Sequence, residues 1–365
     1  TGRVDALADA PVAAPWRGFD HAGLFWTMRT ADEGVAALAS PEHVRIRADF
    51  DGDGIDDDVQ QFVLALGSDA VVERPLPEDF PGAFLMAEPV APGERLPVVI
   101  IFGGSEGNDY GARYLAPMLA SRGYAAVGVP YVSGAALGGE HTIEGLPLDF
   151  KNIPLELVSR VMDWVDQQPD LDGERIGLNG ASKGAEFVLS AGARIDGITA
   201  IVAVVPSDVV WVGFGPNIDR DLDSSFSWRE EPLPYLPHPV QTDEEADRFY
   251  EESDQRWRIA SQAARTIFAD RLEAARIPVE DIGAALFVAG GESDWLWDSG
   301  GMAKNIKARR DAAGMETTIV VSGRAGHSIS LSPHHPTEHR SAQAAADTFQ
   351  TMLRFYAQHL HPSSD

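Results

Sequence analysis

Leu178-Asn179-Gly180-Ala181-Ser182-Lys183-Gly184-Ala185 is the stretch whose reading decides the fold. Inside it, Gly180-Ala181-Ser182-Lys183-Gly184 spells Gly-x-Ser-x-Gly. The residues before it, Arg175-Ile176-Gly177-Leu178, are short and partly apolar and read as a buried strand. Those after it, Ala185 to Gly192, read as a helix packed by Phe187, Leu189 and Ala191. Strand, sharp turn, helix is the setting in which a serine is presented as a nucleophile. The small residues at 180 and 184 suit a strained turn in which the chain passes close to itself. The bare five-residue pattern describes an ordinary tight turn equally well, and it is the flanking elements that favour the elbow.

Working outward, strand and helix alternate from Leu96 onward. Val98-Val99-Ile100-Ile101-Phe102 is a β-branched apolar run that ends in Gly103-Gly104-Ser105-Glu106-Gly107. A helix over 114–120, a strand at Ala125 to Val129 and an amphipathic helix from Leu155 to Gln167, with Leu157, Val161 and Trp164 on one face, follow. After the elbow come strands at Ile198–Val205, Ala284–Ala289 and Thr317–Val321, a helix at about 300–313 and a closing helix from about Ser341 to His359. Continuous apolar runs spaced by helices imply an α/β fold, a mostly parallel sheet with helices on both faces. Residues 207–280 interrupt the rhythm with Pro, Trp and acidic residues. At that length they read as a partly helical cap insertion over the sheet's ligand edge.

A serine hydroxyl needs a base to take its proton and an acid to orient that base. On an open parallel sheet these groups sit in loops at the C-terminal ends of strands, in chain order Ser, Asp/Glu, His. Past Ala289 stands Gly290-Gly291-Glu292-Ser293-Asp294, with Asp294 the first choice of acid and Glu292 and Asp298 its rivals. Past Val321 stands Ser322-Gly323-Arg324-Ala325-Gly326-His327, with His327 the base. Each alone reads better as a turn carboxylate or as a surface or satisfied histidine; together and in order they favour a triad of Ser182, Asp294 and His327. The oxyanion hole is expected from the backbone N–H of Lys183 with that of Gly104 or Ser105. This chemistry requires no cofactor. Trp211, Trp228, Trp295 and Trp297 either line an acyl pocket or pack in the core.

Residues 1–17 are Ala-, Pro- and Asp-rich and read as a flexible arm, and 18–95 as a small β-rich region. Val44–Ala48 alternates as a strand, with a partner over 61–66. Between them Asp49, Asp51, Asp53, Gly54 and Asp57 match the spacing of calcium loops, in which alternate carboxylates converge on one cation. The twelfth position is Gln60 rather than the Glu that completes such a loop, and an acidic turn is the competing account. His334, His335 and His339 read as a polar loop, because Pro333 and Pro336 break any shared helical face.

The chain has 365 residues and no cysteine, which removes disulfides, thiol nucleophiles and thiolate metal sites. A formal charge of −27 argues against nucleic acid and against steering of anionic ligands. No apolar run reaches the roughly 20 residues of a membrane span. The chain starts at Thr1 rather than Met, which favours a removed leader, with a periplasmic or secreted location set ahead of a cytoplasmic one. Oligomeric state is not legible.

Several stretches resemble the acyl-CoA thioesterase / bile acid-CoA:amino acid N-acyltransferase family, a branch of the α/β-hydrolases. They are Phe102 to Gly107, Leu119 to Tyr124, Ile153 to Glu156, Gly180 to Glu186, Pro206 to Trp211, Pro232 to Tyr235, Asp294 to Trp297 with Ser299, and Gly326-His327. Gly23 to Met28 is similar to a stretch of the family's N-terminal β domain. The resemblance covers about 95 to 360 and implies an α/β-hydrolase domain over 96–362. It implies Ser182, Asp294 and His327 as nucleophile, acid and base, acting on a small acyl ester or thioester. Aminoacyltransferase members use a cysteine nucleophile, so its absence favours hydrolysis over transfer. The expectation is therefore an acyl-CoA thioesterase-like serine hydrolase. An exported carboxylic-ester or amide hydrolase and a non-catalytic binding protein on the same scaffold stand as alternatives. If the Asp-rich loop holds calcium, a chelator lowers the melting midpoint; an unchanged midpoint leaves the acidic turn.

Overall fold

Strands with branched side chains on both faces need cover on both sides, and the chain supplies it with helices. The structure, a computed structural model, describes residues 44–48, 58–62, 67–134, 142–217, 223–239, 255–323, 325–330 and 342–361. The first two strands, β1 (Val44–Ala48) and β2 (Asp58–Phe62), form an antiparallel hairpin with Ala48 opposite Asp58. The partner strand thus begins three residues before the expected 61. The carboxylates expected to bind calcium, Asp49, Asp51, Asp53 and Asp57, lie outside the described residues, as do His334, His335 and His339.

The large sheet opens with β3 (Val72–Pro75) and β4 (Phe84–Ala87) and continues with β5 (Leu96–Phe102). Helix α1 (Tyr110–Ala120) leads to β6 (Ala125–Gly128). After the two-residue β7 (Ile153–Pro154), α2 (Glu156–Asp166) leads to β8 (Leu171–Ala181), and α3 (Lys183–Gly192) to β9 (Ile198–Val204). The next segment carries β10 (Phe226–Trp228), β11 (Glu231–Pro232), α4 (Arg256–Ile267) and α5 (Ala269–Ala275). Then come β12 (Ala285–Gly291), α6 (Ser299–Ala312), β13 (Thr318–Ser322) and α7 (Ala342–Leu360).

Eight strands pair in the order β13-β12-β9-β8-β5-β6-β4-β3. Those from β13 to β6 run parallel, and β4 and β3 add an antiparallel edge. Strands β3 and β4, which precede residue 96, the expected start of the hydrolase domain, are hydrogen-bonded into the same sheet. The period of two sorts each strand between two cores. Val98, Ile100 and Phe102 of β5, with Leu286 and Val288 of β12, face Val158 and Val161 of α2, Phe187 of α3 and Ile306 of α6. Val99 and Ile101, with Phe287 and Ala289, face Ala112 and Leu119 of α1 and Met352 and Phe355 of α7. The buried stripe of α2 is Val158, Val161 and Val165, while Leu157 and Trp164 flank it half-buried. The expected face was rotated because Leu157 and Trp164 are the larger apolar side chains, yet the valines point down the helix onto the sheet.

The segment between β9 and β12 has a small core of its own. Val209, Trp211, Leu236, Ala264 and Ala275 pack with Trp297 and Met302, two residues of the next part of the chain. Strand β10 pairs parallel to β7 and antiparallel to β11. Among the described residues, no helix is long and apolar enough to cross a membrane.

One buried cation fixes the far end of the sheet. Arg310 of α6 is almost wholly buried and donates to the carbonyls of Val279, Ile282 and Ala284 and to the Thr317 hydroxyl. It thereby ties the entrances of β12 and β13 to one helix, and burial pulls its guanidinium below the usual value. Replacement by methionine fills much of the volume but leaves those carbonyls without donors. Arg310→Met is expected to lose about 2–4 kcal/mol in urea unfolding.

Candidate active site

The serine turn is built by backbone contact. Ser182 stands between β8 and α3 at φ 54°, ψ −116°, a conformation that few side chains adopt. A Cβ at residue 180 would meet the Gly184 carbonyl oxygen at 2.2 Å, and one at residue 184 would meet the Gly103 oxygen at 2.2 Å. Only glycine fits at either place. The Ser182 N–H donates to Val204 O at the end of β9 (2.9 Å), so the turn is anchored to its neighbouring strand. Every residue of α3 is buried, which leaves this turn nowhere to relax.

His327 opens a short 3-10 turn beyond β13, and its Nε2 lies 2.9 Å from Ser182 Oγ. Its Nδ1 lies 2.9 Å from Asp294 Oδ2. Asp294 follows β12 and is fully buried. Its Oδ1 accepts the N–H groups of Leu296 (2.9 Å) and Trp297 (3.3 Å), and its Oδ2 also accepts the Ser299 hydroxyl (2.6 Å). The rings of Trp295 and Trp297 stand edge-on to the imidazole, at 6.2 and 5.7 Å between centroids. Trp297 is itself held by an indole N–H bond to Val205 O. Trp211 belongs instead to the small core, and Trp228 lies half-buried under Arg229.

The rival acids have other partners. Glu292 pairs with Lys304 on the surface, whose ammonium holds its carboxyl below the usual range. Asp298 accepts the Gly301 N–H at the start of α6 and pairs with Arg258. Ser299 was part of the family likeness without a role. Its hydroxyl also accepts the Gly291 N–H (3.1 Å), so it links the acid to the last residue of its strand.

The glycine turn after β5 lies against the serine: a Cβ on Gly104 would stand 3.5 Å from Ser182 Cβ. Tyr131 Oη donates to Gly103 O (2.7 Å) from below. The Gly104 N–H is already donated to Glu106 Oε1 (2.8 Å). Burial pushes the Glu106 carboxyl up, opposed by the N–H groups of Glu106 and Gly104 and by the charge of His327. Glu106 was not among the expected site residues, although a carboxylate inside a glycine-rich turn is itself a signal in the sequence. The Lys183 side chain points away into the core, where Nζ lies 2.9 Å from both oxygens of Glu186 and 5.1 Å from the centroid of the Phe226 ring. Glu186 Oε1 also accepts the Trp211 N–H (2.9 Å). Burial pulls Lys183 down and pushes Glu186 up, and each charge opposes the shift of the other. Among the described residues no group of three or more His, Asp or Glu could hold a metal ion.

Sheet order, elbow and the hydrogen-bonded serine, histidine and aspartate define an α/β-hydrolase fold. The described chain also aligns with the structure of a Mycobacterium tuberculosis puromycin-hydrolyzing peptidase, at a TM-score of 0.53 and 14% identity over 83% of this chain and 42% of that one. Residues 153–351, more than half the sequence, match the BAAT / Acyl-CoA thioester hydrolase C terminal family, and the chain belongs to that family. The mouse protein acyl-coenzyme A thioesterase 1 is 26% identical over 242 residues, 66% of this chain and 50% of its own length. Mouse acyl-coenzyme A thioesterase 5 is 26% identical over 272 residues, covering 68% and 56%. The human mitochondrial acyl-coenzyme A thioesterase 2 is 31% identical over 116 residues, covering 32% and 22%. The chain therefore spans about half the length of the first two.

The buried pair after the serine gives a stability test. Glu186→Leu leaves the Lys183 ammonium buried without its counter-charge and is expected to lose about 3–5 kcal/mol in urea unfolding. Adding Lys183→Met to that variant should recover part of the loss, since an apolar pair of similar volume removes the stranded charge.

Proposed function

We propose that the chain is a serine hydrolase that cleaves small acyl thioesters through an acyl-enzyme. The observation that carries the reading is the continuous hydrogen-bonded line from Ser182 Oγ through His327 to Asp294 Oδ2. In this reading His327 Nε2 takes the hydroxyl proton as Ser182 attacks the acyl carbonyl, and returns it to the departing thiolate. Asp294 holds Nδ1–H and stabilises the imidazolium, while its remaining acceptor sites are filled by Ser299 and the turn's own amides. Water then attacks the acyl-enzyme by the same proton route.

The oxyanion falls to the backbone N–H of Lys183 together with that of Ser105. The first N–H groups of a helix have no partner within it, and Lys183 opens α3. Ser105 is preferred to Gly104 because the Gly104 N–H is committed to Glu106. Acyl-coenzyme A as the thioester is supported by family membership and by the relatives' being acyl-coenzyme A thioesterases. The charge of −27 favours the runner-up, an ester with an uncharged leaving group, because coenzyme A brings phosphates.

A fluorophosphonate is expected to label Ser182. Ser182→Ala and His327→Ala should each lose at least about 10⁴-fold in kcat while remaining folded. Full activity in folded Ser182→Ala would end the serine reading. Turnover of aryl esters with none of any acyl-coenzyme A would replace the thioester by the runner-up.

A further inference from the structure

Arg258 stands in the first turn of α4, in the segment between β9 and β12, yet its guanidinium reaches the turn that carries Asp294. Its Nη1 donates to the carbonyls of Glu292 (2.6 Å) and Asp294 (2.9 Å), and its Nη2 to Asp298 Oδ1 (2.8 Å). Its own backbone N–H donates to Trp295 O (3.2 Å), and Ser261 Oγ, one turn on, stands 3.2 Å from Leu296 O while its hydroxyl is bonded to Trp257 O (2.6 Å). One end of one helix thus holds both arms of the acid turn. The guanidinium is mostly buried, at 16% exposure, so these bonds are shielded from water.

We propose that Arg258 is a positioning residue that clamps the acid turn so that Asp294 stays within reach of His327. An aspartate has a short side chain, and the place of its carboxylate follows from the place of its backbone. The bonds from Asp294 Oδ1 to the amides of Leu296 and Trp297 lie within the turn and would travel with it. Arg258 ties that turn to a separate element through the carbonyl of Asp294 itself. The ion pair with the part-exposed Asp298 contributes little alone; the two carbonyl bonds do the holding. A planar guanidinium can serve carbonyls and a carboxylate from two nitrogens at once, which a single ammonium cannot. Docking of α4 and placement of the acid are thereby one event.

The inference rests on the triad reading, and the experiment separates the two. Arg258→Ala, Arg258→Lys and Ser182→Ala are compared with the unaltered chain in steady-state hydrolysis of one aryl ester, with thermal melting as the check on folding. In Arg258→Ala, kcat is expected to fall about 10- to 100-fold with KM changed by less than about twofold, as for a misplaced catalytic group. Guanidinium ion, added well below denaturing concentrations, should restore part of the lost kcat, a readout that a merely structural role would not move. Arg258→Lys should fall between the two. Unchanged kcat in a folded Arg258→Ala overturns the clamp, as does a fall that guanidinium does not restore. If Arg258→Ala does not fold, Arg258→Lys decides: a wild-type kcat overturns the clamp and a reduced one supports it. Loss of activity in Ser182→Ala but not in Arg258→Ala removes the clamp and keeps the triad, whereas an active Ser182→Ala removes both.

Discussion

The contact of the chain with itself between positions 184 and 103 constrains everything around the serine. With no Cβ at 184, the first turn of α3 rests directly on the Gly103 carbonyl, so the end of β8 and the end of β5 share one backbone surface. The strained dihedrals of Ser182 and of Val205, at φ 45°, flank that surface. Backbone strain of this kind costs about 1–3 kcal/mol per residue and persists only where the surroundings over-determine it. Here the surroundings are two apolar cores on either side of the parallel strands, with α3 buried along its whole length. Rigidity of the sheet is thus converted into a fixed position for one hydroxyl.

The chain is strongly acidic, and three buried or half-buried carboxylates lie on the elements that meet at the serine, each met by different donors. Asp294 is satisfied by amide, hydroxyl and imidazole donors. Glu186 meets a buried ammonium and an amide. Glu106 has the backbone N–H groups of its own turn, and burial still pushes its carboxyl up. The first holds the His327 ring, the second fastens α3 to the Trp211 segment, and the third shapes the glycine turn. Proximity to the serine alone would not separate these roles; their donors do.

Much of the fold was legible because parallel strands buried on both faces write themselves as unbroken runs such as 98–102 and 198–204, which topology then orders. That ordering brought Ser182, Asp294 and His327 into view from three distant stretches, and the structure brings those three together while Glu292 and Asp298 turn to cations. The strands β3 and β4 escaped because four residues, one of them Pro75, carry too little pattern to count. Glu106 and Arg258 escaped for another reason. Their contacts depend on a local turn geometry in one case and on partners 34 to 40 residues away in the other, and periodicity reports neither. The β1–β2 pairing was visible from alternation, but its register was not, because the acidic stretch between the strands gives no count of turn residues.

The antiparallel edge has a consequence for how copies of the chain meet one another. An outermost strand offers backbone groups to any passing strand, and uncontrolled pairing there leads to aggregation. Here that strand is Val72-Glu73-Arg74-Pro75, four residues long and ended by an imino acid with no N–H to donate. Its two charged side chains are engaged sideways, Glu73 with Arg113 and Arg74 with Asp170. The sheet therefore terminates at a brief, charged border that gives a second molecule almost no ladder to continue.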